Sequence, residues 1–159
     1  MTVKKVYSVD TSALLDGLER YYPQVAFPAL WDKVDGLVAE GRFFVSEEVW
    51  EEARVHDAAT KLWLEGHPKD SIVVPTDVSI AAEVQEILGA YPKLVANMKG
   101  RNRADAFVIA VARKIGGVVV TGEGSDGNEN RPKIPFICIN SQIECIRFID
   151  IIRLEGWKF

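Results

Sequence analysis

Short apolar segments, several of them ending on a carboxylate or a hydroxyl group, alternate along this chain with longer segments of helical periodicity. The first, residues 3–9, is rich in Val and Tyr and leads directly into Asp10. Further short apolar runs predict strands at 42–46, 71–75, 118–121 and 134–139. Strands that alternate with helices favour a parallel sheet with right-handed crossovers and helices on both faces. We therefore expect an α/β fold.

Capping residues and prolines predict the helix boundaries. Asp10, Thr11 or Ser12 is expected to cap a first helix, and Pro28 to open a second that stops at Gly41. Later helices are expected to begin at Ser46, at Thr76 or Asp77, and within 104–117, and a closing helix is expected at 141–154. The helix that starts at Ser46 is expected to continue, with or without a break, to Leu64.

Length and composition favour a single domain that spans residues 1–159. The chain has 48% hydrophobic residues, enough to build one substantial core. Its net charge of −4, from 19 basic and 23 acidic residues, argues against binding nucleic acid by bulk electrostatics. Any nucleic-acid contact is therefore expected to be local.

The cysteine content and the hydropathy pattern favour a soluble cytoplasmic protein. Cys138 and Cys145 are the two cysteines, with no CxxC motif and two histidines, so neither a disulfide framework nor a zinc site is indicated. The N-terminus lacks the layout of a signal peptide. No apolar stretch approaches the roughly 20 residues of a membrane span.

Four carboxylates are predicted to meet at one edge of the sheet. Asp10 and Glu123 each follow a predicted strand, and ligands of open parallel sheets bind beyond the carboxyl ends of the strands. Glu52 and Asp105 lie near the starts of two predicted helices. Asp105 is set among Ala, Phe, Val and Ile, where an unpaired buried charge would cost several kcal/mol.

Ordinary structural roles remain open for each acid. Asp10 and Asp105 could cap helices, and Asp105 could pair with Arg101 or Arg103. Glu48 lies one helical turn before Glu52 and could replace or assist it. Two further acids in the loop after the fourth strand compete with Glu123: these are Asp126 and Glu129.

A divalent cation would reconcile the four acids with one another. Two carboxylates at 4 Å repel by about 4 kcal/mol at an effective dielectric constant near 20. A site made only of oxygen ligands favours Mg²⁺ or Mn²⁺ over zinc. The sequence does not distinguish one ion from two.

The chain resembles the PIN-domain nucleases, which include the VapC-like toxins of toxin–antitoxin pairs. The resemblance is carried by "VYSVDTSALLDG", "VSEEVWEEA", "RADAFVIAVA" and "VVVTGE", in that order. The flanking "RYYPQVAFPALWDKVDGL" and the terminal "EGWKF" look like one uncharacterised PIN branch, so the resemblance spans essentially the whole chain.

The resemblance implies a three-layer α/β/α sandwich with a central parallel sheet, and Mg²⁺- or Mn²⁺-dependent hydrolysis of RNA. Asp10, a helix Glu and Asp105 match the first three acids of the family. The fourth is usually Asp, whereas "TGE" offers Glu123 here, with Asp126 as the alternative. Hydroxyl groups near these acids are expected to donate hydrogen bonds, and they belong to Thr11, Ser12 and Thr121.

Partners also follow from the resemblance and from the charge pattern. Two basic clusters flank the expected crevice, as RNA contacts or as solvated surface charge: Lys99, Arg101 and Arg103, and Arg131 and Lys133. An antitoxin protein or a second copy of the chain is a further expected partner. Aromatic residues suited to core packing or to such an interface include Tyr21, Tyr22, Phe27 and Trp31.

Three other functional interpretations of the sequence have less support. "GEGSDG" at 122–127 matches a dinucleotide-binding fingerprint, but that motif requires a helix directly after the glycines, and Asn, Pro and a predicted strand follow instead. A haloacid-dehalogenase phosphatase would need a second Asp where Ser12 stands. The stronger alternative is a PIN-like module that binds RNA or protein without cutting, and the four filled acid positions favour catalysis over it.

Overall fold

Five short strands form one parallel sheet in the computed structural model, which describes residues 3–96 and 104–159. They are β1 (Tyr7–Val9), β2 (Phe43–Ser46), β3 (Val73–Val74), β4 (Val118–Val120) and β5 (Cys145–Ile146). Their order across the sheet is β3-β2-β1-β4-β5, and every neighbouring pair is parallel. The chain adds β2 and β3 on one side of β1 and then β4 and β5 on the other. The strand order therefore reverses between β1 and β4.

Helices cover both faces of this sheet, which confirms the predicted three-layer α/β/α sandwich. They are α1 (Thr11–Leu15), α2 (Pro28–Ala39), α3 (Glu47–His56), α4 (Ala58–Glu65), α5 (Lys69–Ile72), α6 (Val78–Ala90), α7 (Pro92–Ala96), α8 (Asp105–Ile115), α9 (Ile134–Asn140) and α10 (Phe148–Glu155). A π-helical segment, Asp16–Tyr21, continues directly from α1.

Helix α8 is the buried helix of one face. It contacts the strands β1, β2 and β4 and the helices α3, α6 and α9. Seven of its eleven residues are buried, as its nearly continuous apolar sequence predicts. The hydroxyl of Ser8 donates to the carbonyl of Val108 at 2.7 Å, which joins β1 directly to α8. Gly116 ends the helix at φ +63°, a conformation that suits glycine.

Aromatic side chains fill the opposite layer. Side chains alternate along a strand, so Tyr7 and its registered partner Phe43 point away from α8. The Phe43 ring meets Trp63 edge to face at 5.6 Å, and Trp31 contacts both Trp63 and Phe148. Trp31 is 1% exposed, so its role is core packing and not an interface.

A polar network fastens the last helix at the amino-terminal edge of the sheet. Glu155 of α10 accepts hydrogen bonds from the Tyr7 hydroxyl and from the Arg42 guanidinium, and both charged side chains are about 90% buried. Burial and the neighbouring carboxylate raise the pKa of Tyr7 above its usual range. A buried ion pair therefore occupies the amino-terminal edge of the sheet, and the predicted acid cluster belongs to the opposite, carboxyl-terminal edge.

The predicted strand at 134–139 is wrong, because this segment forms helix α9. A short apolar run of Ile, Phe and Cys does not distinguish a buried strand from a buried helix. Pro135 in the first helical turn and the Glu123 carboxylate at Ile134 N–H favour the helix. The fifth strand lies later, at Cys145–Ile146, so the expected closing helix at 141–154 is also wrong at its start, and α10 begins at Phe148.

Other boundaries follow the sequence closely. Ser46 caps α3, Asp57 interrupts the long element before α4, and Asp77 caps α6, each through a side-chain oxygen that accepts a backbone N–H. The strand expected at 71–75 shortens to β3, because Lys69–Ile72 forms one helical turn. Asp10 occupies the cap position of α1, but its side chain makes no capping hydrogen bond.

Both cysteines are free thiols, Cys138 buried and Cys145 partly buried. Within residues 3–96 and 104–159, no helix has the length and apolar character needed to cross a membrane.

Candidate active site

Asp10 lies where the strand order reverses, at the carboxyl end of β1. Its backbone N–H donates to the carbonyl of Val120 at the end of β4, at 2.8 Å. Its carboxylate oxygen Oδ2 accepts hydrogen bonds from Ser12 at 2.7 Å and from Thr121 at 3.1 Å. The Ser12 hydroxyl in turn accepts the N–H of Gly122 at 2.8 Å. The ends of β1 and β4 are thus tied together around one carboxylate.

Asp105 is the first residue of α8 and points into the same region without acting as its cap. The cap position belongs to Ala104. The Asp105 side chain is 2% exposed, and its Oδ2 atom is buried without a hydrogen-bond partner among the described residues. A buried carboxylate oxygen with no donor is unusual, because nearly all buried polar atoms in folded proteins are satisfied.

Glu123 reaches the cluster from the loop after β4. Its Oε2 accepts the N–H of Ile134 at 2.8 Å, which fixes the carboxylate against the start of α9. Its own N–H donates to the Thr121 hydroxyl at 3.1 Å. Two local hydrogen bonds therefore hold both the backbone and the side chain of this residue.

Carboxylate oxygens of Asp10, Asp105 and Glu123 lie within 4.8 Å of one another. Burial is the main reason that the pKa of each group is raised above its ordinary value. The negative charge of Asp10 further raises the pKa of both neighbours. Hydrogen bonds from Ser12 and Thr121 oppose this shift at Asp10.

Glu52 stands beside this trio, on α3. It is half-buried, and desolvation followed by the charges of Asp10 and Glu48 raises its pKa. Thr11 is close enough to lower the pKa of Glu52, yet its buried hydroxyl makes no well-formed hydrogen bond within the described chain. The supporting role of Thr11 toward a carboxylate, water or phosphate stays a prediction.

Glu123 and Asp126, the two candidates for the fourth acid, lie in different surroundings. Glu123 belongs to the cluster, whereas the Asp126 side chain is 76% exposed and pairs with Lys133 at 2.8 Å. On α3, Glu48 is half-buried beside Glu52, and its charge contributes to the raised pKa of Glu52.

The predicted basic contacts have different surroundings. Lys133 is one-third exposed and paired with Asp126. Its positive charge partly opposes the rise in the pKa of Glu123 that burial causes. Arg131 is exposed, and its backbone closes a turn with Asn128. The other predicted cluster lies outside the described residues: Lys99, Arg101 and Arg103.

Sequence reasoning missed Asp16, which lies against the same loop. It is 8% exposed and begins the π-helical segment, and its carboxylate pairs with Arg20 at 3.2 Å. A Cβ atom on Gly122 would lie 2.5 Å from Asp16 Oδ2. Glycine is therefore required at 122 for Asp16 to approach the loop. The spacing of Asp16 six residues after Asp10 was the available signal, but only the π-helical turn sets its direction.

The three clustered acids fit a divalent metal ion. Their donor atoms are all carboxylate oxygens, the chemistry that Mg²⁺ and Mn²⁺ prefer. The unpartnered Oδ2 of Asp105 and its raised pKa are consistent with too little positive charge around this cluster from residues 3–96 and 104–159. Either bound protons or a cation would complete it.

Comparison with known proteins identifies a family for this chain. No curated protein matches the chain significantly. One solved structure similar to it is PAE2754 from Pyrobaculum aerophilum, with 20% sequence identity, a TM-score of 0.46, and coverage of 96% of this chain and 91% of that chain. A family model described as a domain of unknown function matches residues 7–159. This chain therefore belongs to the DUF4411 family.

Proposed function

We propose that this protein is a Mg²⁺- or Mn²⁺-dependent ribonuclease of the PIN type, which hydrolyses phosphodiester bonds in RNA. The proposal is carried by one observation. Two buried carboxylates and one partly buried carboxylate, from separate parts of the chain, lie within 4.8 Å of one another at the strand-order reversal. Such an arrangement costs stability unless it serves a ligand, and groups with perturbed pKa values in a crevice are candidates for function.

Asp10, Asp105 and Glu123 would hold the metal ion, with Glu52 beside them. When bound, Mg²⁺ or Mn²⁺ supplies positive charge to the phosphate oxygens and increases the acidity of water. Ser12 and Thr121 hold the Asp10 carboxylate in place, and Ile134 N–H does the same for Glu123. These contacts preorganise the acids before any ligand arrives, so little reorganisation is needed during the reaction.

Glu52 is suited to accept a proton from the attacking water. Its raised pKa brings it closer to neutral pH than an ordinary carboxyl group, which improves a general base. Its half-buried position leaves it accessible from the crevice. Glu48 is the alternative on the same helix face.

RNA phosphates outside the reacting bond would contact basic side chains. Arg131 is exposed beside the Glu123 loop, and Lys133 is partly exposed there. We include Lys99, Arg101 and Arg103 in this role from their position just before Asp105 in the sequence. Such contacts position RNA without reading its sequence.

We further propose a cytoplasmic location and a protein partner. The two free thiols suit a reducing compartment. Tyr21 and Phe27 are 58% and 42% exposed, respectively, and offer apolar surface for an antitoxin or for a second copy of the chain.

The direct test is cleavage of a labelled RNA by purified protein with Mg²⁺ or Mn²⁺ and with EDTA. We expect cleavage that requires the metal and that Asp10→Asn abolishes while the protein stays folded by circular dichroism. The matched control is Asp126→Asn, which removes an acid from the neighbouring exposed surface and should retain activity.

Two results separate the candidate functions. Full activity of the Asp10→Asn protein would remove this cluster from the reaction. RNA binding by the parent protein, with no cleavage under any divalent metal, would favour a PIN-like module that binds without cutting.

A further inference from the structure

A surface depression of about 620 Å³ is lined by the end of α6, the loop before α9 and α9 itself. Tyr91, at the end of α6, and Phe136, on α9, form its apolar part. Its polar part comes from the loop before α9 and from the last residue of that helix, and consists of Asn128, Glu129, Asn130 and Asn140. Its size falls within the range of small-molecule sites.

The two aromatic rings are available for stacking. Their centroids are 6.2 Å apart and their planes meet at 79°, so the rings do not stack on each other. Both side chains are partly exposed. Aromatic side chains in this situation provide stacking surfaces for unpaired nucleobases, because every base has a π face.

The asparagines bring both donors and acceptors. The Asn128 Oδ1 atom accepts the N–H groups of Asn130 and Arg131, which leaves its amide NH₂ group without a partner in the described structure. The Asn140 NH₂ group donates to the carbonyl of Phe136, which leaves its Oδ1 atom as an acceptor without a partner in the described structure. The Asn130 side chain makes no hydrogen bond within the described residues and is exposed. Amides of this kind match the mixed donors and acceptors of a base edge.

The charge of the depression disfavours phosphate. Among the described residues that line it, Glu129 is the charged one, and it is acidic. A neutral, planar and polar-edged group fits these walls better than an anion does.

The depression and the acid cluster share helix α9 and the loop before it. Phe136 comes two residues after Ile134, whose N–H holds the Glu123 carboxylate at 2.8 Å. The loop that carries Glu123 also supplies Asn128 and Asn130. The same loop and helix therefore carry part of the acid cluster and part of the depression.

We propose that this depression binds a nucleobase of the single-stranded RNA whose phosphodiester bond is held at the acid cluster. The inference depends on the proposed function for the identity of the ligand as RNA. Tyr91 and Phe136 provide the stacking surface, and the asparagines contact the base edge.

The test measures binding separately from cleavage. Full-length Asp105→Asn protein, in EDTA, is titrated into a fluorescein-labelled single-stranded RNA of about eight nucleotides, and into an abasic oligonucleotide of the same length. Phe136→Leu, which keeps an apolar side chain but removes the ring, should raise the Kd for RNA about tenfold and leave the abasic oligonucleotide unaffected. Asn130→Ala, at an exposed position, should weaken RNA binding by a smaller factor. Phe159→Leu is the control, because Phe159 is 70% exposed and lies outside the depression.

Several outcomes would overturn the proposal. Phe136→Leu and Asn130→Ala proteins that bind RNA as the parent does would remove the base from the depression. Equal affinity of the Asp105→Asn protein for RNA and for the abasic oligonucleotide would also reject the base site. No RNA binding by that protein would reject it as well. If Phe136→Leu fails to fold, Tyr91→Leu and Asn130→Ala decide the question.

Failure of this proposal is distinguishable from failure of the ribonuclease proposal. Metal-dependent cleavage by the wild-type protein, together with unchanged binding by the variants, would keep the ribonuclease and reject the base site. Base-dependent binding that Phe136→Leu weakens, without cleavage by the wild-type protein, would support the base site in a protein that does not cut RNA.

Discussion

Replacing Asp105 with Asn should stabilise the metal-free protein, although it removes a residue of the proposed active site. The Asp105 side chain is 2% exposed, and its Oδ2 atom has no hydrogen-bond donor in the described structure. Two further carboxylates lie within 4.8 Å. Asn has nearly the same shape, carries no charge, and offers an NH₂ group that can donate to Asp10 or Glu123.

Electrostatics sets the size of the effect. An ionised pair at 4.8 Å repels by about 3.5 kcal/mol at an effective dielectric constant near 20. The protein can avoid this repulsion by holding a proton, which limits the cost at Asp105 to about 4 kcal/mol near neutral pH. We therefore expect the substitution to raise the free energy of unfolding by about 2–4 kcal/mol. For a chain of this length, the melting temperature should rise by about 5–12 °C.

Thermal unfolding in EDTA and in millimolar Mn²⁺ provides the assay. The pKa of Asp105 is raised in the folded state, so the carboxyl group destabilises the fold above the unfolded-state pKa and has no effect well below it. The gain from Asn should consequently be larger near neutral pH than near pH 4. Mn²⁺ should stabilise the wild-type protein, by about 2.7 kcal/mol at 100 times its Kd, and should stabilise the variant much less.

The control and the contrary outcome are well defined. Asp126→Asn removes an exposed acid that pairs with Lys133, and it should leave both the melting temperature and the Mn²⁺ response nearly unchanged. Loss of stability in the Asp105→Asn protein in EDTA, or an effect that does not vary with pH, would refute the idea that crowded carboxylates strain the metal-free fold.

Three other predictions follow from the structure. In EDTA, the clustered acids with raised pKa values should make the wild-type protein less stable as the pH rises from about 4 to neutrality. Mn²⁺ should reduce this loss of stability, and melting curves measured across that pH range check both effects. Gly122→Ala should lower RNA cleavage at least about tenfold, because its Cβ would lie 2.5 Å from Asp16 and displace the loop. Gly36→Ala is the control, since Gly36 lies in open space within a helix: it should leave cleavage intact and stabilise the protein by about 0.5–1 kcal/mol. Arg42→Met should cost about 3 kcal/mol in denaturant unfolding, because it leaves the buried Glu155 without its cation, and a loss below about 1 kcal/mol would contradict that role.

Most of the fold could be predicted from local sequence features. Ser46 and Asp77 cap helices as expected, because a side-chain oxygen beside a helix start satisfies a free N–H wherever the chain folds that way. The nearly continuous apolar sequence of α8 predicts a buried helix, and in the described structure α8 contacts three strands and three helices. The segment 134–139 could not be assigned locally, since its apolar run suits a strand or a helix, and a distant carboxylate at Ile134 favours the helix.

The sequence by itself determined that Asp10 and Glu123 follow strands of a parallel sheet, and hence that they share an edge, because parallel strands end on the same side. Only the tertiary structure decided which acids meet. It buries Asp105 against Asp10, places Glu123 in the cluster and leaves Asp126 in solvent, and turns Asp16 toward Gly122. The physical reason is that the direction of a side chain from a loop or helix end depends on contacts between segments far apart in the chain, which local patterns do not encode.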